Sequence, residues 1–342
     1  MSGTATEVLR ETEIRPDHLM EGQSERFAAD IRRLLEHQAH FRPVDCPACG
    51  SSRRRKAFEK YQLSYVVCDE CQTMYVSPRP RPQDLDRYYA TSENYAYWNK
   101  YIFPASESVR REKIFRPRAE RIADIVERFG VGSNVLLEVG AGFGTFAEEM
   151  QRLGLFRRVV AVEPTPDLAR TCRERGLEVI EKPFEQVGSE VGQVDLVASF
   201  EVLEHLFSPR EFVQHCASVL APGGLLVLTC PNVKGFDISV LQALSDSVDV
   251  EHLNYFHPAS LSRLVSAHGF SVLEVTTPGK LDAELVRKKA LAGLLSLEGQ
   301  PFLQQVLIDD WDQLGATFQQ FLASHGLSSH MWLVARRNES RG

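Results

Sequence analysis

The run VLLEVGAGFG at residues 135–144 is the strongest constraint in the chain. Strand-forming residues through Glu138 and Val139 give way to Gly140, Gly142 and Gly144, and a helical stretch follows from Thr145. Glycines at this spacing allow a tight turn and let the backbone approach a ligand closely, and the helix N-terminus adds a positive dipole. From this point short β-rich runs alternate with helical stretches, the signature of a parallel sheet covered on both faces. Strands are expected at 135–139, 158–162, 177–180, 194–199, 225–230, 270–276 and 330–335. A largely helical insertion at about 278–328 precedes the last strand. It is too long for a turn and reads as a lid or an arm toward a second copy, so a homodimer is one expected assembly.

The glycine spacing is G-x-G-x-G, and Thr145 stands where the third glycine of a dinucleotide fingerprint would fall. Glu163 ends the second strand about 20 residues on, where a carboxylate accepts hydrogen bonds from both hydroxyls of a ribose. A nucleotide-like cofactor fits; the competing reading is a helix-packing turn beside a solvated glutamate.

The series EVGAGFG, VEP, DLVASFEVLEHLFSP and APGGLLVLTCPN resembles, in order and spacing, the motifs of class I S-adenosylmethionine-dependent methyltransferases over about 135–275. The resemblance implies an α/β, Rossmann-like, seven-stranded mostly parallel sheet with helices on both faces, occupying 131–342. It also implies that Glu138, Gly140, Ala141, Gly142 and Gly144 hold the amino-acid end of the cofactor and Glu163 the ribose. Phe184 and Glu185 match the place of the adenine; Phe200 and Glu201 border the methionine end. Glu204 and His205 match a Glu-His pair frequent in this group, which would serve either the site or a helix cap.

A sulfonium methyl is already electrophilic, so such an enzyme mainly aligns a nucleophile with it and removes a proton where one must leave. The candidate base is His252 in DVEHLNYFHP, beyond the C-terminal edge of the sheet, where open α/β sheets place substrates. Glu251, His252 and Tyr255 resemble the EH-x-x-YF stretch of zinc-containing sugar C-methyltransferases, whose second large domain has no counterpart here. The alternative is a histidine that only orders its loop.

Cys46-Pro-Ala-Cys49 and Cys68-Asp-Glu-Cys71 stand 18 residues apart, within the range of a four-cysteine zinc ribbon. Four thiolates leave no open position, so the zinc would be structural. Gly50 suits the first knuckle, and Gln72 stands where a second glycine is usual. Cys172, Cys216 and Cys230 lie in apolar contexts and read as buried, inert thiols. The ribbon and the aromatic linker behind it resemble the N-terminus of bacterial methyltransferases of polysaccharide and deoxysugar pathways. In those the linker folds over the cofactor, so Tyr95 and Tyr97 would line the site, or else glue the ribbon to the core.

The expected units are a helical extension at 1–42, with an amphipathic helix at 23–40; the ribbon at 43–82; a linker and helix at 83–130, stopping at Gly130; and the catalytic unit at 131–342. Neither a leader-like N-terminus nor an apolar run of spanning length is seen, which points to the cytoplasm and away from membranes. The net charge of −7 disfavours a nucleic-acid partner, although residues 41–118 carry 15 Lys and Arg against 9 Asp and Glu. The expected activity is methyl transfer to oxygen or carbon of a small molecule, a sugar or nucleotide sugar. Two alternatives stay open: an rRNA methyltransferase docking through the ribbon and its basic Arg53–Lys56 knuckle, and a non-catalytic S-adenosylmethionine-binding protein.

Overall fold

The computed structural model describes residues 9–339; the first eight residues of the expected extension, and with them half of the N-terminal stretch read for a leader, lie outside the described residues. Seven strands form the main sheet: β4 (Val135–Val139), β5 (Arg158–Val162), β6 (Glu178–Ile180), β7 (Val194–Phe200), β8 (Leu220–Pro231), β10 (Phe270–Thr276) and β11 (His330–Arg337). Their order is β10-β11-β8-β7-β4-β5-β6, with β11 antiparallel to both neighbours and the pairings among β8, β7, β4, β5 and β6 parallel. The seven-stranded, mostly parallel α/β fold read from the sequence is the fold observed. All five residues of β4 are buried, as a central strand covered on both faces requires. Strand order reverses beside β4, with β5 on one side and β7 on the other, and the crevice above such a switch point is where open α/β sheets bind ligands.

A second, antiparallel sheet contains β1 (Arg54–Lys60), β2 (Leu63–Cys68), β3 (Met74–Val76) and β9 (Asn254–Tyr255). Its fourth strand comes from the loop between β8 and β10: Met74 pairs with Tyr255 and Tyr75 with Asn254. Cys46, Val66, Cys68 and Tyr75 accordingly share one buried cluster with the main sheet. The cysteine-bearing segment is thus fastened to the catalytic unit through backbone pairing as well as side chains.

The helix expected at 23–40 runs Asp17–Leu35, started early by Pro16, and buries Ile31 and Leu34. Its buried Asp30 accepts hydrogen bonds from the Ser92 hydroxyl and the Asn94 amide, which fixes the linker helix Glu93–Tyr97 against it. The helix Arg116–Phe129 ends at Gly130, whose φ of +62° makes the left-handed cap. The insertion before β11 carries helices Asp282–Leu291 and Trp311–Ser324, which bury Ala283, Val286 and Leu322 against Leu241 in a separate small core. Among the described residues no helix is long and apolar enough to cross a membrane.

Candidate functional site

The glycine loop leaves β4 with all three glycines left-handed, φ being +78° at Gly140, +55° at Gly142 and +71° at Gly144. A Cβ at Gly140 would lie 2.4 Å from Val202 Cγ2, and one at Gly144 would lie 2.4 Å from Leu177 Cδ1. Packing therefore demands glycine at both. At Gly142 a Cβ would meet nothing within 4 Å: this stretch of backbone faces open space, where a ligand would lie. Ala141 is buried behind it. The Glu163 carboxylate stands beside this opening, accepting from the Gly142 amide (2.8 Å) and the Thr165 amide (2.9 Å). Each of its oxygens keeps a lone pair for a further donor.

Glu138 is buried, its Oε2 has no partner, and burial raises its carboxyl to about 8 against the pull of Arg118. An orphaned carboxylate oxygen at the mouth of the glycine loop fits an ammonium group, such as that at the methionine end of S-adenosylmethionine. With the open space at Gly142, this is the fit expected of residues that hold that cofactor.

The other half of the cleft is built by the turn after β7, the loop before β9 and the linker. Glu201 adopts φ +56°, which for a non-glycine residue marks strain. Its carboxylate accepts from Thr229 Oγ1 at 2.5 Å and lies 3.3 Å from His330 Nδ1. Burial pushes its pKa up, but His330, Arg118 and Thr229 together hold it below the usual range. Arg118 lies 4.3 Å over the Phe200 ring, and Phe200 packs on Phe146 and Trp332.

His205 and His252 meet with ring centroids 4.7 Å apart. His252 Nδ1 is 2.9 Å from the Ser247 carbonyl, which calls for the proton on Nδ1 and leaves Nε2 as the acceptor nitrogen. The His252 amide is fixed by Asp249 Oδ1 at 2.9 Å. Tyr89 places its hydroxyl 3.1 Å from His205 Nδ1, Tyr88 donates to Glu251 Oε1 at 2.6 Å, and Tyr95 packs edge-on against Tyr89. The linker therefore packs on the segments that carry His205 and Glu251, through Tyr88, Tyr89 and Tyr95. Arg118, Tyr88 and Tyr89 were not singled out by the sequence; the doublet in RYYA was its only signal.

Of four further expected residues, three stand away from the glycine loop and the two histidines, and Tyr255 lies behind His252. Tyr97 faces the helix Asp17–Leu35, with Arg26 4.4 Å over its ring and Tyr101 beside it, because the phase of the Glu93–Tyr97 helix turns Tyr95 inward instead. Tyr255 is fully buried in the β3–β9 pairing, its hydroxyl accepts from the Asp249 amide, and its ring packs edge-on against His252 with centroids 6.0 Å apart, so it supports the candidate base from behind. Phe184 is buried, packing edge-on against His215 and tilted against Phe212. Glu185 is exposed beside it.

Cys46, Cys49, Cys68 and Cys71 bring their sulfurs within 4.8 Å of one another, with Cys46–Cys71 at 3.4 Å and Cys49–Cys68 at 3.5 Å. A tetrahedron of bonds of about 2.3 Å has edges of about 3.8 Å, so the set closes on a zinc-sized ion with small adjustments. Matching backbone turns, Gly50 N to Cys46 O and Gln72 N to Cys68 O, form two knuckles. Gln72 takes the left-handed φ of +61° usual for glycine there. Cys172, Cys216 and Cys230 are buried free thiols, as expected.

The chain is similar to known methyltransferases over part of its length. Residues 112–275 match the family described as Methyltransferase domain. Over 104 residues the chain is 39% identical to a ubiquinone biosynthesis O-methyltransferase of Caulobacter sp. (strain K31), covering 28% of this chain and 40% of that protein. Over 225 residues it is 27% identical to the C-methyltransferase NovU of Streptomyces niveus, covering 64% of this chain and 48% of the other. The chain thus spans less than half the length of these curated relatives. Among solved structures, an S-adenosylmethionine-dependent methyltransferase from Clostridium acetobutylicum ATCC 824 aligns with a TM-score of 0.48 at 8% identity, over 71% of this chain and 99% of that one. With the glycine loop and the strand order already described, residues 112–275 of this chain match a methyltransferase domain.

Proposed function

We propose that the protein transfers a methyl group from S-adenosylmethionine to an oxygen or carbon of a small polar acceptor, a sugar or nucleotide sugar, with a structural zinc in the four-cysteine ribbon. One observation carries the cofactor assignment: the loop opens on free space at Gly142 directly beside the Glu163 carboxylate. The bound cofactor supplies an electrophilic methyl on a sulfonium, which leaves as a neutral thioether. Glu138 would face the ammonium, Glu163 would accept from the ribose hydroxyls, and Arg118, whose charge acts on Glu201 and Glu138, would lie at the methionine end.

On the acceptor side, His252 Nε2 takes the proton as the acceptor's oxygen or carbon bonds to the methyl and the carbon–sulfur bond breaks. Ser247 fixes the tautomer, and Glu251 and Tyr88 brace the loop behind it. A cleft lined by two histidines, carboxylates and tyrosine hydroxyls matches a hydroxyl-rich acceptor of sugar type. The relative named as a C-methyltransferase supports carbon as one acceptor atom and the O-methyltransferase supports oxygen.

The RNA reading loses its main feature, because the basic knuckle is neutralised by its own neighbours. Arg53 pairs with Glu70, Arg55 with Asp69 at 2.9 Å, and Lys56 with Glu59 at 2.6 Å. The test is incubation with methyl-labelled S-adenosylmethionine and, separately, total RNA and a fractionated pool of small metabolites containing nucleotide sugars. Label in a sugar-containing compound is the expected result. Label in RNA, or cofactor binding without transfer to any fraction, would overturn the acceptor assignment.

A further inference from the structure

We propose that Glu204, His205 and His252 bind a divalent cation at the acceptor end of the cleft, with Glu201 beside it. The proposal rests on the methyltransferase reading and refines its acceptor site.

One carboxylate oxygen of Glu204 and one nitrogen from each histidine lie within 4.8 Å of one another. Glu204 is 0% exposed, and neither of its oxygens has a hydrogen-bond partner within the protein. A fully buried carboxylate with no donor is costly, and the cost is relieved only by a proton or a cation. The surroundings make the deficit larger. Glu201 and Asp249 both act on Glu204 with like charge, no Lys or Arg donates to it, and a proton shared with the Glu201 carboxylate is the metal-free alternative. Arg118 and His330 direct their charge to Glu201.

The histidines are oriented as metal ligands usually are, each by a partner on its other nitrogen. Tyr89 engages Nδ1 of His205 and the Ser247 carbonyl engages Nδ1 of His252. Nε2 is then the nitrogen each ring keeps for a ligand. The Glu251 backbone carbonyl also approaches the His205 ring, so the competing state is a metal-free hydrogen-bonded network.

Two imidazoles with one or two carboxylates suit a first-row divalent ion such as Mn2+, Fe2+, Co2+ or Zn2+. Three protein ligands leave positions open, enough for two adjacent oxygens of an acceptor: a vicinal diol or a hydroxy ketone. That narrows the acceptor class. With the ion bound, His252 Nε2 is a ligand, so the proton transfer to it described above belongs to the metal-free site; in the loaded site the ion would acidify the acceptor hydroxyl it holds, whose proton leaves to solvent.

The test uses the full chain with zinc in its ribbon, treated with a mild chelator and titrated with Mn2+, with free ion followed by electron paramagnetic resonance. Saturable uptake of one Mn2+ per chain is expected. Glu204→Gln and His205→Ala should each weaken that uptake by roughly tenfold or more while zinc content and S-adenosylmethionine affinity stay at wild-type values. Absence of Mn2+ or Co2+ uptake by the wild-type chain, or uptake unchanged in both variants, overturns the site. Undiminished methyl transfer in the presence of chelator also overturns it, yet leaves the methyltransferase reading standing. Loss of cofactor binding altogether would instead sink that reading.

Discussion

Arg79, at the exit of the ribbon, is fully buried and donates from Nη1 to the side-chain oxygen of Asn254 at 3.0 Å, two residues after His252. The same guanidinium donates to the carbonyls of Val76, Phe207 and Leu253. Asn254 in turn donates from Nδ2 to the carbonyls of Leu206 and Glu204. One arginine thus joins the ribbon, the turn carrying Glu204 and His205, and the loop carrying His252.

Replacing Arg79 by Met should therefore cost about 3–5 kcal/mol, because it removes four hydrogen bonds at once; of the four acceptors, the Leu253 carbonyl keeps a second donor, the Val76 amide. Thermal unfolding would record the loss. Methyl transfer should fall further than cofactor affinity does, since the acceptor loops shift and the glycine loop does not. Equal losses in both would count against this coupling.

The ribbon is fastened through β3–β9, so its metal should matter for more than the ribbon. Cys68→Ser should lower zinc content and bring Tm down by roughly 5–10 °C. It should also loosen the His252 loop. Hydrogen exchange at the amides of Leu253 to Phe256 would show this, and protection equal to wild type would contradict it.

Two glycines of the loop should separate function from stability. Gly144→Ala drives a Cβ to 2.4 Å from Leu177 Cδ1 and to 2.9 Å from Cys172 Sγ, and should destabilise the fold by about 2–3 kcal/mol. Gly142→Ala clashes with nothing in the protein and carries only the strain of its positive φ, about 1 kcal/mol. Its effect should appear in S-adenosylmethionine affinity, about tenfold weaker, as read by calorimetry alongside Tm.

Glu138 makes a pH prediction for the cofactor-free protein. Burial is the main cause of its rise from 4.5 to about 8, with Arg118 opposing and Glu163 adding. Between those values the folded state holds a proton that the unfolded chain releases. Stability from this group is therefore complete below 4.5 and is lost as pH climbs through about 8, with a slope of up to about 1.4 kcal/mol per pH unit. Glu138→Gln should remove this decline, and the difference between the two proteins across pH 5–9, followed by urea unfolding, isolates it. A difference independent of pH would show that Glu138 is ionised throughout.

Much of the site was legible because its signals are local. β4 and the glycine loop occupy ten consecutive residues, and Glu163 is placed by the length of one helix and one strand. The cysteine knuckles are four-residue units whose spacing alone points to a tetrahedral set. The orientations of Tyr97 and Tyr255 were not legible for one shared reason: each lies on an element whose rotation is set by a distant partner. The helix bearing Tyr97 is turned by its contact with the Asp17–Leu35 helix, and β9 exists as a strand only because β3 pairs with it.

By itself the sequence determined the parallel sheet, the loop at its switch point and the four-cysteine knuckles, since periodicity, glycine conformation and ligand spacing act over a few residues. Tertiary structure alone decided which polar side chains meet. Tyr89 and His205 are 116 residues apart along the chain and 3.1 Å apart in space. That closeness depends on how three segments pack together, and no local pattern encodes it.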